Sequence, residues 1–582
     1  MNEDSGNLAV RALNHWRSLY MPTYIALRLF LQQLPQSKQS DYLEAFLLRK
    51  LPMGELCRYR RFFRFKGFDS KGEIEYREFY AASASSALGE AYVLKLLSAL
   101  EGLANRSCVF SYQWPRNAKE GRSYRYFFPG YNARQHKVSS LLQTNSNYVV
   151  LVHDIKDFYP SIHTDIVYKR LESHISKSAL STSSEIVGTI CQKMLQIPDK
   201  GVPIGPALGH IFGNIALEHV DDQMSTKFKD RYLRYVDDIF IVVEPQEIQN
   251  AQNELEKLIR EEDFSLHSEE GKRDKVSSQE WLDNIHTEQV LGENFEDLFR
   301  RVRFFLWHRP YKLKSLQREF REKGIPMPLQ RLSQDAHYGR FQRYMGQYIH
   351  DSPGKLPNFF IQFIFDDEPK LIKTAIQLRR DFFEAAKHID VQGARAHGII
   401  RKLRVQRLRY LLNRLLYLMP IHEFQDLLGL TPDVEEFFEY RSLIKAIMTK
   451  RLDPILQLPG PAIATFASLY RELGYEGYPE YDLELLNSDR ILDSVCTLAL
   501  LDVITVSDAW VNSLAQANSE LVKFCQLSTP CKRLIRDQQF EDEIRTLQLD
   551  ESADKMRDIL SSRFSDMEDI PLEALLFSDS GS

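Results

Sequence analysis

The chain has 582 residues, 43% of them hydrophobic and 27% charged, with a formal net charge of −5. That composition describes an ordinary globular protein with room for two to four domains. No apolar stretch approaches the length of a membrane span, and Met1 to Arg11 carries polar and acidic residues where a secretion signal is basic and then apolar. Six cysteines (Cys57, Cys108, Cys191, Cys496, Cys525, Cys531) include no C-x-x-C pair, which argues against a zinc site or disulfide framework and fits a reducing cytoplasm.

The net charge is unevenly spread. Residues 541–582 hold twelve acidic and four basic side chains, a balance of −8, which leaves +3 for the first 540. Residues 51–137 hold fifteen Lys and Arg against eight Asp and Glu, or +7. A basic half beside an acidic tail suits a protein that binds a polyanion.

In chain order, residues 1–80 are expected to form a helical extension. Within it, Arg58 to Lys66 carries five cations and no acid, which suits either a nucleic-acid contact or an amphipathic strand with a solvated basic face. Ser83 to Leu103 has helical periodicity. From Val109 to about Trp281, short runs rich in Val, Ile and Tyr alternate with helices and predict buried strands at Tyr148–His153 and Ile239–Val243. Beyond residue 330 the strand signals fade. Leu371–His388, Ile399–Leu418, Val434–Leu452, Ala462–Leu473 and Ile491–Ala515 carry apolar residues at helical spacing, so an all-helical region is expected over 331–582.

Two segments set acidic residues at the ends of apolar strands. Val149 to His153 leads into Asp154, and Leu233-Arg234-Tyr235-Val236-Asp237-Asp238-Ile239 places a pair of aspartates in the turn of a hairpin. Like charges so placed are partly desolvated and repel each other. A divalent metal offsets both costs. Two further Asp-Asp pairs, Asp221-Asp222 and Asp366-Asp367, are expected at the surface. Between the two segments, Lys200-Gly201-Val202-Pro203-Ile204-Gly205-Pro206 predicts a turn that opens an amphipathic helix running to Asp221.

These three segments, in this order, resemble the palm of reverse transcriptases: the first carboxylate motif at Asp154 to Ile162, the loop and helix at Gly201 to Asp221, and the Tyr-x-Asp-Asp box at Tyr235 to Asp238. Lys200 and Gly205 stand where the common enzymes have Gln and Ser. The Gly-x-Pro-Ile-Gly-Pro form and the long helical remainder look like the bacterial abortive-infection and defence-associated members, among them the polymerases of the type 3 defence system. The resemblance implies an α+β right-hand fold with fingers and palm over 81–285, a connection over 286–330 and the helical domain over 331–582. It implies an RNA-directed DNA polymerase in antiphage defence, taking deoxynucleotides and two Mg²⁺ ions. Its implied partners are an RNA template or non-coding RNA, the DNA product, a second polymerase subunit and further copies of itself. Template-independent, protein-primed synthesis, with Tyr20 or Tyr24 as hydroxyl donors, and a non-catalytic RNA-binding scaffold are the alternatives.

By the same resemblance Asp154 and Asp237 are the main metal ligands, Asp238 a looser third, and Ile155 lends a backbone carbonyl. Tyr159 lies under the sugar and excludes a 2′-hydroxyl. Gly201 and Pro203 line the nucleotide, Arg116 and Arg125 hold the triphosphate, and Lys272 sits near the pyrophosphate, with Lys275 its competitor. Near Trp307 the cations Arg300, Arg301, Arg303, Arg309, Lys312 and Lys314 suit a duplex backbone, as does the Arg-rich stretch from Arg401 to Arg414. The spacings Arg331 to His337 and Arg343 to His350 faintly suggest a ribonuclease; an interaction array is the better expectation for this region.

Overall fold

The first strands form where the chain alternates cations with rings. β1 (Tyr59–Phe68) pairs antiparallel with β2 (Ile74–Ala82), and Arg61–Glu78 and Lys66–Glu75 pair across the exposed side. Phe62 and Phe79 pack inside, and the buried Arg64 guanidinium lies 5.7 and 5.0 Å from their ring centroids. The helical expectation for residues 1–80 therefore holds for α1 (Asp4–Leu19) and α2 (Met21–Gln32) and gives way at Tyr59. The density of β-prone aromatic residues selects a strand here, and the hairpin keeps Arg61 and Lys66 solvated while Arg64 is buried.

This computed structural model describes residues 4–32, 49, 57–115, 123–125, 127–177, 184–269, 272–284, 289–329, 332, 366–393, 396–458, 460–483 and 488–526. α3 (Ala84–Leu97) starts at Ser83, whose hydroxyl accepts from the Ser86 amide. α4 (Phe127–Thr144) leads into a four-stranded antiparallel sheet in the order β4-β5-β3-β6, comprising β3 (Val149–Asp154), β4 (Tyr232–Tyr235), β5 (Asp238–Val243) and β6 (Arg273–Ser277).

All six residues of β3 are buried, because the sheet is covered on both sides. Leu151, Ile239 and Ile241 face a large core shared with α5 (Ala207–Ala216), α6 (Glu218–Phe228) and α7 (Ile248–Glu261). Val150, Val152, Phe240 and Val242 face the other way, against Val138 and Leu142 of α4, Trp281 of α8 (Ser278–Asn284), and Ile399, Ile400 and Leu403. Strand alternation puts Asp154 and Asp238 on this second side.

After α9 (Gln289–His308) come α10 (Glu368–Lys387) and α11 (Gly398–Leu418), then helices over Phe438–Thr449, Pro461–Glu472 and Ser488–Leu500. The helix expected over 491–515 ends at Leu500, and a new one starts at Asp508 under a Ser507 cap. The α+β class with a helical C-terminal region is the observed one. None of the described helices is long and apolar enough to cross a membrane.

In each spare Asp-Asp pair one carboxylate is exposed as expected, Asp222 and Asp367, and the other is not. Asp221 and Asp366 are buried and meet Arg234 and Arg301 through two-pronged ion pairs, with shortest distances of 2.6 Å. Arg301 is thus a structural cation, not one facing a duplex. The acidic tail and the Arg331–His337 and Arg343–His350 spacings lie outside the described residues.

Candidate active site

The β4–β5 hairpin turns through Val236 and Asp237, with Tyr235 paired to Asp238. Val236 adopts φ +56°, a conformation a β-branched residue takes only under constraint. Its amide donates to the Ser111 hydroxyl at 2.9 Å, and its carbonyl accepts from Arg234 Nη1 at 2.7 Å. Arg234 is itself fixed on Asp221 by bonds of 2.7 and 2.6 Å, and the Tyr232 hydroxyl donates to the same carboxylate at 2.9 Å. A buried ion pair thus braces the turn that carries the aspartates. Asp221→Ala, which leaves the Arg234 charge unpaired, should cost about 3–5 kcal/mol in denaturant-unfolding stability; a loss below about 1 kcal/mol excludes this brace.

Asp154 lies directly opposite Asp238 in the β3–β5 register, and Asp237 is next to it in the turn. Asp237 is 1% exposed, and neither of its carboxylate oxygens has a hydrogen-bond partner; Oδ1 of Asp154 has none either. Burial first, then the charges of Asp154 and Asp238, push the Asp237 carboxyl well above its ordinary range. Burial and Asp238 raise Asp154 to about 6. At Asp238 burial also opposes the charge, but Lys402 and Arg134 outweigh it and hold that carboxyl low.

Buried carboxylate oxygens without partners are costly, and a divalent cation between Asp154 and Asp237 fits them. Among the described residues no three His, Cys, Asp or Glu side chains form a ready-made metal cage. Asp238 is engaged elsewhere: Lys402 Nζ stands 3.3 Å from its Oδ1 and Arg134 Nη1 3.6 Å from its Oδ2. Ile155 is buried and bridges to Leu266, while the Asp154 carbonyl accepts from the His267 amide.

Tyr159 follows in the short turn Phe158–Ser161, its ring buried and its hydroxyl 2.9 Å from His210 Nδ1 on α5. Burial keeps His210 neutral, and Tyr112 stacks on it at 3.5 Å. Gly201 has φ +69°, and a Cβ there would lie 2.1 Å from the Tyr159 carbonyl oxygen, so only glycine lets the loop rest on this turn. Pro203 O approaches the start of α5 at Gly209. The structure therefore gathers Tyr159, Gly201 and Pro203 into one wall.

Glu90 of α3 closes that wall from behind, accepting the Leu208 amide at 2.8 Å near the N-terminus of α5. Burial raises its carboxyl to about 8 against the help of the amides. A raised folded-state value means stability that is full below the ordinary carboxylate range and is lost as pH climbs through about 8. Glu90→Gln should therefore melt like the wild type near pH 4 and increasingly above it as pH rises toward 9; a gap independent of pH excludes the assignment.

Lys272 Nζ is 3.1 Å from His267 Nε2, which is itself 3.9 Å from Asp154 Oδ1, whereas Lys275 is exposed on β6. Arg125 bonds Gln113 at 2.7 Å through Nη1. Arg116 lies outside the described residues. Tyr20 and Tyr24 are both buried, Tyr20 against Phe62.

Residues 103–278 match the family described as reverse transcriptase (RNA-dependent DNA polymerase). The chain carries a reverse-transcriptase domain. This makes it a nucleotidyltransferase of the RNA-directed DNA polymerase class, acting on a nucleic-acid template and deoxynucleotides, and such domains generally use divalent metal ions. A structure of telomerase from Candida albicans in complex with a TWJ fragment of telomeric RNA aligns with 69% of this chain and 70% of that one, at 11% identity and a TM-score of 0.25. No curated protein matches the chain.

Within the reverse-transcriptase domain and around it, the sequence pairs neither of two cations with Asp238. Arg134 was visible only as one of several basic residues before Asp154. Lys402 lies 164 positions from Asp238, and no local pattern announces it.

Proposed function

We propose that this chain is a metal-dependent DNA polymerase of antiphage defence whose reaction is centred on Asp154, Asp237 and Asp238. The carrying observation is the set of buried carboxylate oxygens without hydrogen-bond partners, both of Asp237 and Oδ1 of Asp154, in a braced hairpin turn and at the end of a central strand. Support for the defence setting comes from the Gly201–Pro206 form of the loop and from the helical region that follows the domain.

Asp154 and Asp237, with the Ile155 carbonyl, would hold Mg²⁺, two ions in all. Such ions would supply activation of the attacking hydroxyl and neutralisation of charge on the leaving pyrophosphate. The chain's own groups do the rest. Tyr159 presents its ring to the sugar and selects deoxynucleotides, with Gly201 and Pro203 forming the adjoining wall. Lys272 supplies a proton donor or a positive charge on the Asp154 side, and Arg116 and Arg125 are assigned to the triphosphate.

An RNA partner, a second polymerase subunit and self-association are proposed with the family resemblance as their support. Protein priming from Tyr20 or Tyr24 is disfavoured by the burial of both rings. Incorporation of labelled deoxynucleotides by purified protein, with the co-purifying nucleic acid as template, tests this reading. Product that disappears with EDTA and after ribonuclease treatment supports it; undiminished product after ribonuclease treatment moves the assignment to untemplated synthesis.

A further inference from the structure

We infer that Lys402, supplied by the helical region, is a positioning residue of the polymerase site: it holds the Asp238 carboxylate and so reserves Asp154 and Asp237 for the divalent cation. The inference rests on the polymerase reading of that site.

Asp238 has two oxygens, and each faces a cation. Arg134 Nη1 lies 3.6 Å from Oδ2 and Lys402 Nζ 3.3 Å from Oδ1. The two cations differ in kind. Arg134 is 1% exposed and wedged against the rings of Phe240, Tyr131 and Tyr235, with centroids 4.0, 4.8 and 5.3 Å away, so it is a fixed part of the packing of α4 on the sheet. The Lys402 side chain is 37% exposed and comes from α11, which belongs to a different part of the chain.

The seat of α11 fixes where that ammonium stands. Gly398 has φ +54°, and a Cβ there would fall 2.4 Å from a carboxylate oxygen of Asp274 on β6. Glycine therefore lets the helix begin against the sheet, and the Ile399 amide donates to the same Asp274 carboxylate. Ile399, Ile400 and Leu403 are buried against Val150, Val152 and Phe240. Further along, Gln406 accepts from the Tyr131 hydroxyl at 2.8 Å, and Arg404 donates to Asn284 at 3.0 Å. Contacts on three sides of Lys402 direct its chain toward the aspartates.

A carboxylate whose oxygens face two cations is a poor donor to a third. The consequence is a division of labour among the three aspartates. Asp238 is withheld, while Asp237 and Oδ1 of Asp154 keep free lone pairs.

Mn²⁺ binding followed by electron paramagnetic resonance tests this on the full chain. The set comprises wild type, Lys402→Met, Lys402→Arg, Asp238→Asn, Asp237→Asn and the Lys402→Met/Asp238→Asn double variant, with thermal melts for each. Release of Asp238 in Lys402→Met should tighten Mn²⁺ binding about tenfold, Lys402→Arg should stay near wild type, and in the Asp238→Asn background Lys402→Met should change little. Lys402→Gln replaces Lys402→Met if the latter does not fold. Unaltered affinity in the lysine variants, or equal tightening with and without Asp238, overturns the inference while Asp237-dependent binding keeps the polymerase reading. Binding that is also indifferent to Asp237→Asn overturns both.

Discussion

Asp237→Asn should lower deoxynucleotide incorporation about a thousandfold or more and leave the chain folded. The metal-bound charge at such a site contributes several kcal/mol to the transition state, and each 1.4 kcal/mol is a factor of ten. Stability should move the other way. In the wild type a carboxyl with no hydrogen-bond partner is buried beside Asp154 and Asp238, and its ionised form opposes folding when no metal is bound. Asparagine removes that charge at nearly constant volume, so the metal-free variant should melt at or above the wild-type temperature. Incorporation within tenfold of wild type would remove Asp237 from the site. Loss of activity with a lowered melting temperature would mean that the carboxylate serves packing.

Tyr159→Ala should relax sugar selection by about ten- to a hundredfold, measured as the ratio of kcat/KM for deoxy- over ribonucleotides. A ring in contact with the sugar rejects an added hydroxyl through overpacking worth about 1–3 kcal/mol. Tyr159→Phe separates the two jobs of the side chain. It keeps the ring, and with it selectivity, but leaves His210 without the partner that stands at 2.9 Å. A stability loss of about 1 kcal/mol is expected there. An unchanged ratio in Tyr159→Ala would place sugar selection on another residue.

Which parts of this molecule were legible in the sequence follows from the range of the interactions. Asp154, Asp237 and Asp238 stand out because the signal is local: an unbroken apolar strand ends in a charge, or two charges occupy the turn between strands. Tyr159 and Gly201 are assigned through the family resemblance instead, and the structure rests the Gly201 loop on the Tyr159 turn. Asp221 and Asp366 misled, since a pair of adjacent acids looks solvated until its cation is known. Arg234 and Arg301 are 13 and 65 residues away. β1 was obscured by its arginines, whose alternation with phenylalanine also fits a nucleic-acid contact. Lys402 was the least legible. The many leucines of α11 say that the helix is packed, but nothing in them says that Ile399, Ile400 and Leu403 meet the sheet face bearing the aspartates.

That seating of α11 also bears on where the working polymerase ends. The stretch matching the family stops at residue 278, yet the hydrophobic side of its sheet is roofed in part by Ile399, Ile400 and Leu403. Each such side chain is worth about 1.5–3 kcal/mol when buried. Cutting the chain behind the matched segment would strip this roof, leave apolar strands open to water, and delete the Lys402 counter-charge from beside Asp238. The cover of the sheet thus extends to α11, beyond the stretch that matches the family.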